Sequence, residues 1–201
     1  MQSSKTLKIG IIGNGNVGGA LAQGLASAGH AVHAVGDDMA AVQATAAWAE
    51  VVLLAVPFAA VGAVVEVAGA ALAGKVVIDV TNALDAQMQL ALGFSTSGAE
   101  ELQRRLPAAR VVKAFNTVFA PHMATGRLGD EALTAFVAGD DAEAKRTTLA
   151  LARAIGFDAV DAGPLSNARL LEPLAYLNIQ LGYVLGMGPQ IGFKLLHGQA
   201  G

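Results

Sequence analysis

KIGIIGNGNVGG, Lys8 to Gly19, is an apolar run that stops at a cluster of glycines, and its reading decides the fold. Ile9, Ile11 and Ile12 form a short buried strand. Gly13, Gly15 and Gly18 then fit G-x-G-x-x-G ahead of the Ala- and Leu-rich stretch Ala20 to Ala28, which the pattern predicts as a helix. The first glycine allows the sharp turn, the second lets the backbone approach a pyrophosphate, and the third lets helix and strand pack closely. Free N–H groups at the helix start, with the positive end of its dipole, favour a doubly negative pyrophosphate. On this reading Gly13, Asn14, Gly15, Asn16, Val17 and Gly18 cradle a dinucleotide. A second apolar strand, Ala31 to Val35, leads to Asp37, nineteen residues beyond Gly18. That is the place for the acid that accepts hydrogen bonds from an adenosine ribose, about 20 residues on.

The 201 residues suffice for one core, and the chain reads as one dinucleotide-binding domain over 1–201 with 165–201 as a C-terminal helical extension. Hydrophobic residues make up 54%, much of that alanine, and no uninterrupted apolar run is long enough to span a bilayer. There is no cysteine, which excludes disulfides and thiolate metal sites, and no metal site is expected. The N-terminus has no apolar signal core, so a cytoplasmic location is expected. A net charge of −3 without a basic cluster argues against nucleic acid as a partner.

Downstream, residues 39–50 read as a helix and Val51 to Val56 as a strand stopped by Pro57. The interval is short for a dinucleotide fold, which predicts loss of a helix, a strand or both after the second strand. Phe58 to Leu72 reads as a crossover helix packed on the sheet and capped by Gly74. Val76 to Val80 is the next strand, delivering Thr81 and Asn82. Arg110 to Phe115 is another, ending at Asn116. Pro121 to Asp130 reads as a loop, Leu133 to Val137 as a strand, Asp140 as the N-cap of a helix ending at Gly156, and Phe157 to Val160 as a strand. Ser166 to Leu185 carries charge only at Arg169 and Glu172 and reads as a largely buried helix interrupted at Pro173. Alternating strands and helices predict an α/β, doubly wound, mostly parallel sheet. Three strand ends should then converge on one crevice: Ala55-Val56-Pro57, Thr81-Asn82 and Asn116-Thr117. Of the four histidines, His122 alone, close after Asn116, could reach this crevice, and a loop or surface role is expected for it.

With these residues in place, the chain resembles the reductases that pass hydride between a nicotinamide nucleotide and the deazaflavin coenzyme F420. It is also similar to the cytosolic domain of the membrane ferric reductases named for six-transmembrane epithelial antigen of prostate. The markers are GNGNVGG, GKVVIDVTN, RVVKAFNT, AGDDAEAKR, DAGPLSNARLLEPL and GMGPQIGFKLL. The resemblance implies that Gly13 to Gly18 hold the pyrophosphate and that Val56, Pro57, Thr81, Asn82 and Asn116 line the nicotinamide. It implies that Pro164 to Asn167 and Gly186 to Leu195 shape an acceptor pocket or a dimer contact. The implied activity is hydride transfer between NAD(P)H and a deazaflavin, flavin or similar flat acceptor. No obligatory acid-base residue follows from that chemistry, and no catalytic side chain is assigned.

The chain departs from the soluble family where a Ser-Arg type sequence grips the 2′-phosphate of NADP. Gly36 and Asp37 stand there instead, and no Lys or Arg occurs between Lys8 and Lys75, which favours NAD. Some members also have His where this chain has Asn116. The apolar stretch Leu170 to Met187 predicts a homodimer. A non-catalytic nucleotide-binding sensor or regulatory module is the alternative to an enzyme.

Overall fold

The computed structural model describes residues 5–196 and 198. In chain order these contain β1 (Lys8–Ile12), α1 (Asn16–Ser27), β2 (Ala31–Val35), α2 (Met39–Trp48), β3 (Val51–Leu54), α3 (Val61–Ala68), β4 (Val76–Asp79) and α4 (Gly98–Arg105). There follow β5 (Arg110–Lys113), α5 (Ala120–Met123), β6 (Arg127–Leu128), β7 (Glu131–Ala132), β8 (Thr134–Gly139), α6 (Ala142–Ile155), β9 (Asp158–Asp161) and α7 (Ala168–Ile179). Seven strands form one sheet in the order β2-β1-β3-β4-β5-β8-β9, parallel throughout except where β8 runs against β5.

The central strands β1, β3 and β4 are apolar at nearly every position because both faces are covered. Ile9, Ile11, Leu53 and Ile78 point into one layer with Leu21 and Leu25 of α1 and the inner face of α6. Their neighbours Ile12, Val52, Leu54 and Val77 point into the other, with Val42 of α2, Val64 of α3 and Leu102 of α4. β2 forms one edge of the sheet. The chain leaves β2 and returns through α2 to the far side of β1, so the strand and helix that the short interval foretold as missing are those that would lie outside β2.

Capping residues place the helices. Asp38 accepts hydrogen bonds from Ala40 and Ala41 N–H and starts α2, and Ser97 accepts from Glu100 N–H and starts α4. The N-cap of α6 is Asp141, which accepts from Ala144 N–H at 2.7 Å, rather than Asp140. Asp140 instead accepts from Leu165 N–H at 2.9 Å, because its side chain faces the loop before α7. Phe58 to Leu72 is helical but in three pieces, with single 3₁₀ turns at Phe58–Ala60 and Gly69–Leu72 flanking α3. The stretch expected as loop, residues 121–130, holds most of α5 and the first strand of the β6–β7 hairpin.

The C-terminal helix differs most from expectation. Pro173 lies inside α7 without ending it, and a π-helical turn, Gln180–Val184, continues it. Only one face is buried, through Leu171, Glu172, Ala175 and Asn178. Leu170, Tyr183, Val184, Leu185 and Met187 are more than 60% exposed. Beyond it the chain returns to the sheet, where Phe193 C=O accepts from Thr134 N–H and Leu195 N–H donates to Thr134 Oγ1.

Candidate nucleotide site

The glycine turn follows β1 and is packed beneath the end of β3. Gly13 has φ +105°, and a Cβ there would lie 2.3 Å from the Ala55 carbonyl oxygen. A Cβ on Gly18 would lie 1.7 Å from the Gly13 carbonyl oxygen. Both positions are therefore glycine for the fold itself. Gly15 is different. Its backbone is extended (φ −68°, ψ −165°), it is the N-cap of α1, and a Cβ there would meet nothing within 4 Å. The space above Gly15 is open, at the end of a helix whose first N–H groups, on Asn16, Val17 and Gly18, have no helical acceptor. A pyrophosphate fits this donor set in charge and in room.

Gly13, Asn14 and Gly15 form one wall of a cavity of about 370 Å³ whose other walls are Gly36, Asp37, Met39, Ala55, Val56, Pro57, Ala60 and Val64. It lies over the ends of β2, β1 and β3. A Cβ on Gly36 would lie 3.1 Å from Asn14 Oδ1, so the Asn14 carboxamide rests on the end of β2. Asp37 is exposed and, among the described residues, makes no hydrogen bond or ion pair, whereas Asp38 is engaged as the α2 cap. No Lys or Arg lines this cavity. Lys75 donates to the Ala46 and Ala47 carbonyls at the end of α2, and Lys8 lies over Trp48. Both stand at the starts of their strands, at the opposite end of the sheet from the glycine turn.

A second cavity, about 350 Å³, reaches the α1 N-terminus at Asn16 and shares no lining residue with the first. Asn16, Ala120, Pro121, Tyr183 and Pro189 line it. Tyr183 packs edge-on against Phe119 at 5.2 Å. His122 was expected in a loop or at the surface; it lies in α5 and is buried, and Nε2 lies 2.8 Å from the Pro189 carbonyl oxygen, holding the C-terminal segment at this cavity. The expected acceptor-pocket residues are thus divided. Pro189 is at the cavity, whereas Leu165 is in the core, Asn167 donates to Ala162 C=O, and Ser166 faces α4. A larger cavity of about 450 Å³ between α3 and α4, near Phe58 and Arg105, does not touch the glycine turn.

The three strand ends do not share one cavity. Val56 and Pro57 line the first, while Thr81, Asn82 and Asn116 form a pinned group at the ends of β4 and β5. Asn82 Nδ2 donates to the Asn116 carbonyl at 3.3 Å, and Asn116 Nδ2 donates to Asn82 Oδ1 at 3.1 Å and to Leu171 C=O at 3.0 Å. Because those backbone carbonyls can only accept, both amide orientations are fixed. Asn116 Oδ1 is then left buried without a donor. A nicotinamide carboxamide carries the N–H donors such an acceptor lacks.

Sequence reading missed the group beneath these ends. Lys113 is wholly buried, 3.0 Å from Asp79 Oδ2 and 2.9 Å from Glu172 Oε1, and it donates to Thr81 C=O at 2.5 Å. Burial opposes its charge, but the two carboxylates outweigh burial and hold its pKa above the ordinary lysine value. The available signal was a lysine inside the apolar run VVKAF, 34 residues after an aspartate in VVID.

The geometry has counterparts among known proteins. A family model described as NADP oxidoreductase, coenzyme F420-dependent, matches residues 8–83. A crystal structure of a protein from Arthrobacter sp. FB24, named as an F420-dependent NADP reductase, is similar with TM-score 0.87 and 31% identity over 95% of this chain and 100% of that one. The chain belongs to the F420-dependent NADP oxidoreductase family. A hypothetical protein from Sinorhizobium meliloti provides a further likeness, with TM-score 0.67 and 29% identity over 81% of this chain and 87% of that one. Metalloreductase STEAP3 of Rattus norvegicus is 39% identical over 104 residues, 51% of this chain. The chain spans about a fifth of the length of the curated relatives it matches. Among the described residues no helix is long and apolar enough to cross a membrane, and no group of three or more His, Cys, Asp or Glu could hold a metal ion.

Proposed function

We propose that this chain transfers hydride between a nicotinamide nucleotide and a flat acceptor, a deazaflavin or flavin, and that it prefers NAD to NADP. The observation that carries the reading is the pair of cavities that meet the α1 N-terminus, one at Gly15 and one at Asn16. The first, running from Gly15 to Asp37, suits the pyrophosphate and adenosine of the nucleotide. The second, walled by Pro121, Tyr183 and Pro189, suits a planar ring. The nucleotide supplies the hydride. The protein's part is to hold two rings in register and keep water out, which needs no side-chain acid or base.

Asp37 supports the NAD preference. Its carboxylate is free to accept from both ribose hydroxyls and would repel a 2′-phosphate, and no base lines the cavity to offset that repulsion. Here the chain departs from the nucleotide for which its family is named. The exposed apolar face formed by Leu170, Leu177, Tyr183, Val184 and Leu185 supports a homodimer through α7 and the π-helical turn. The test of function is oxidation of NADH and NADPH, followed by loss of dihydronicotinamide absorbance, with F420, FMN, FAD and riboflavin each supplied as acceptor. Turnover with at least one of them is expected. Tight nucleotide binding with no turnover across the panel would overturn the enzymatic reading in favour of a binding module.

A further inference from the structure

Lys113 donates to three acceptors, Asp79 Oδ2, Glu172 Oε1 and the Thr81 carbonyl, which uses all three hydrogens of an ammonium group. Asp79 Oδ1 accepts from Thr81 N–H at 2.9 Å. The backbone N–H and C=O of Thr81 are therefore both tied to one buried ion pair. Glu172 accepts in addition from Gly98 N–H at 3.0 Å and Ala99 N–H at 3.4 Å, in the first turn of α4. Two carboxylates thus face one ammonium, and the extra negative charge sits where the positive end of the α4 dipole favours it.

Such a group is a poor device for stability alone, because apolar side chains of similar volume commonly serve a core equally well. Its placement gives it another use. Residue 81 leads directly to Asn82, which is paired with Asn116, and Asn116 is held in turn by Leu171 C=O, next to Glu172 on α7. Neighbouring residues of one helix thus grip both members of the strand-end pair, one through Lys113 and one through Asn116. Asn178, two turns on, donates to Thr117 C=O at 3.2 Å and completes the attachment.

We propose that Lys113, with Asp79 and Glu172, positions the nicotinamide end of the site by fixing Thr81-Asn82 and Asn116 relative to α7. The inference rests on the reading of these strand ends as nicotinamide contacts. It separates the two halves of the nucleotide, since the pyrophosphate and adenosine half is bounded by residues that, among the described residues, make no hydrogen bond or ion pair with these three.

The test is calorimetric titration of the full chain, wild type, Lys113→Met and Glu172→Gln, with ADP-ribose and with NADH, alongside thermal melts. Wild-type protein should bind NADH more tightly than ADP-ribose. Both variants should bind ADP-ribose within about twofold of wild type and lose roughly tenfold for NADH, the worth of one or two hydrogen bonds. Glu172→Gln leaves Lys113 paired with Asp79, so it carries the measurement if Lys113→Met does not fold. A folded variant with unchanged NADH affinity, or one weakened equally for both ligands, would overturn the inference. Wild-type protein that binds ADP-ribose as tightly as NADH would overturn the nicotinamide placement itself, and absence of binding to either would overturn the nucleotide reading.

Discussion

Gly15→Val separates the fold from the site. At Gly13 and Gly18 any side chain strikes backbone, at 2.3 and 1.7 Å, so substitution there tests folding as much as binding. At Gly15 the added Cβ meets nothing within 4 Å and φ is −68°, which valine adopts without strain. Valine is a poorer N-cap than glycine, but Gly15 supplies no side-chain cap to lose, and replacing glycine narrows the unfolded ensemble by about 0.4–1 kcal/mol in the folded state's favour. The two effects oppose, so the melting temperature should move by no more than about 2–4 °C, the equivalent of 1 kcal/mol at this chain length. Binding should respond very differently. The branched side chain occupies the space over the first turn of α1 and denies a pyrophosphate two charge-assisted hydrogen bonds, each worth about 1.5–3 kcal/mol. A loss of about 3 kcal/mol or more corresponds to over about 100-fold in Kd. Calorimetry with NADH and a circular-dichroism melt on the same preparation measure both quantities. A Gly15→Val protein that melts like wild type and binds NADH within about threefold of it would refute the placement of the pyrophosphate at this turn.

Other expectations follow from Asp37, Glu100 and α7. NADH should bind about 5- to 30-fold more tightly than NADPH: a charge pair about 4 Å apart repels by roughly 4 kcal/mol at an effective dielectric of 20, of which an exposed carboxylate keeps about 1–2. Asp37→Arg should narrow or reverse that ratio in paired titrations, and it spares Asp38, whose replacement would uncap α2. Arg169 donates to Glu100 at 2.9 and 2.6 Å, and that hydrogen bonding, ahead of the opposing effect of burial, holds the Glu100 carboxyl below its ordinary range. A lowered folded pKa contributes stability above the unfolded value and loses it as pH falls through the folded one. Glu100→Gln should therefore lower the melting temperature at neutral pH, by an amount that shrinks as pH falls below the ordinary glutamate range, and a difference from wild type that stays constant across that fall would remove the ion pair as the cause. Sedimentation at micromolar concentration should give a dimer for wild type and a monomer for Leu177→Glu with Leu170→Glu; a wild-type monomer would count against α7 as the interface.

The glycine turn and the sheet were legible because they depend on local rules: a glycine that must turn, strands apolar at nearly every position, and an interval too short for another strand. Lys113 was not, because a single lysine in a strand looks the same in sequence whether it faces water or a carboxylate brought from Glu172, 59 residues away. Asp140 and Asp141 are adjacent and equally good caps by composition, and the Leu165 N–H facing one of them decides between them. His122 looked like a surface residue because its partner, the Pro189 carbonyl, belongs to a segment with no periodicity to place it. The apolar content of α7 was plain in the sequence. That Leu170 and Leu177 face outward follows from what the helix packs on: Leu171, Glu172 and Asn178 are held by α4 and the strand ends on the opposite side.

The π-helical turn Gln180–Val184 has a consequence for everything after it. Leu185 N–H bonds to Gln180 C=O at 2.9 Å, spanning one residue more than an α-helical bond. Each helical residue turns the chain by about 100°, so this one surplus position sets the angular phase of Tyr183, Val184 and the path to Pro189. Gly182 anchors that phase, since a Cβ there would stand 2.8 Å from the Phe119 ring. The second cavity therefore depends on residue count as well as residue type. Removing a single position between Gln180 and Val184 would rotate its aromatic wall out of place while leaving the sheet, the glycine turn and the first cavity as they are.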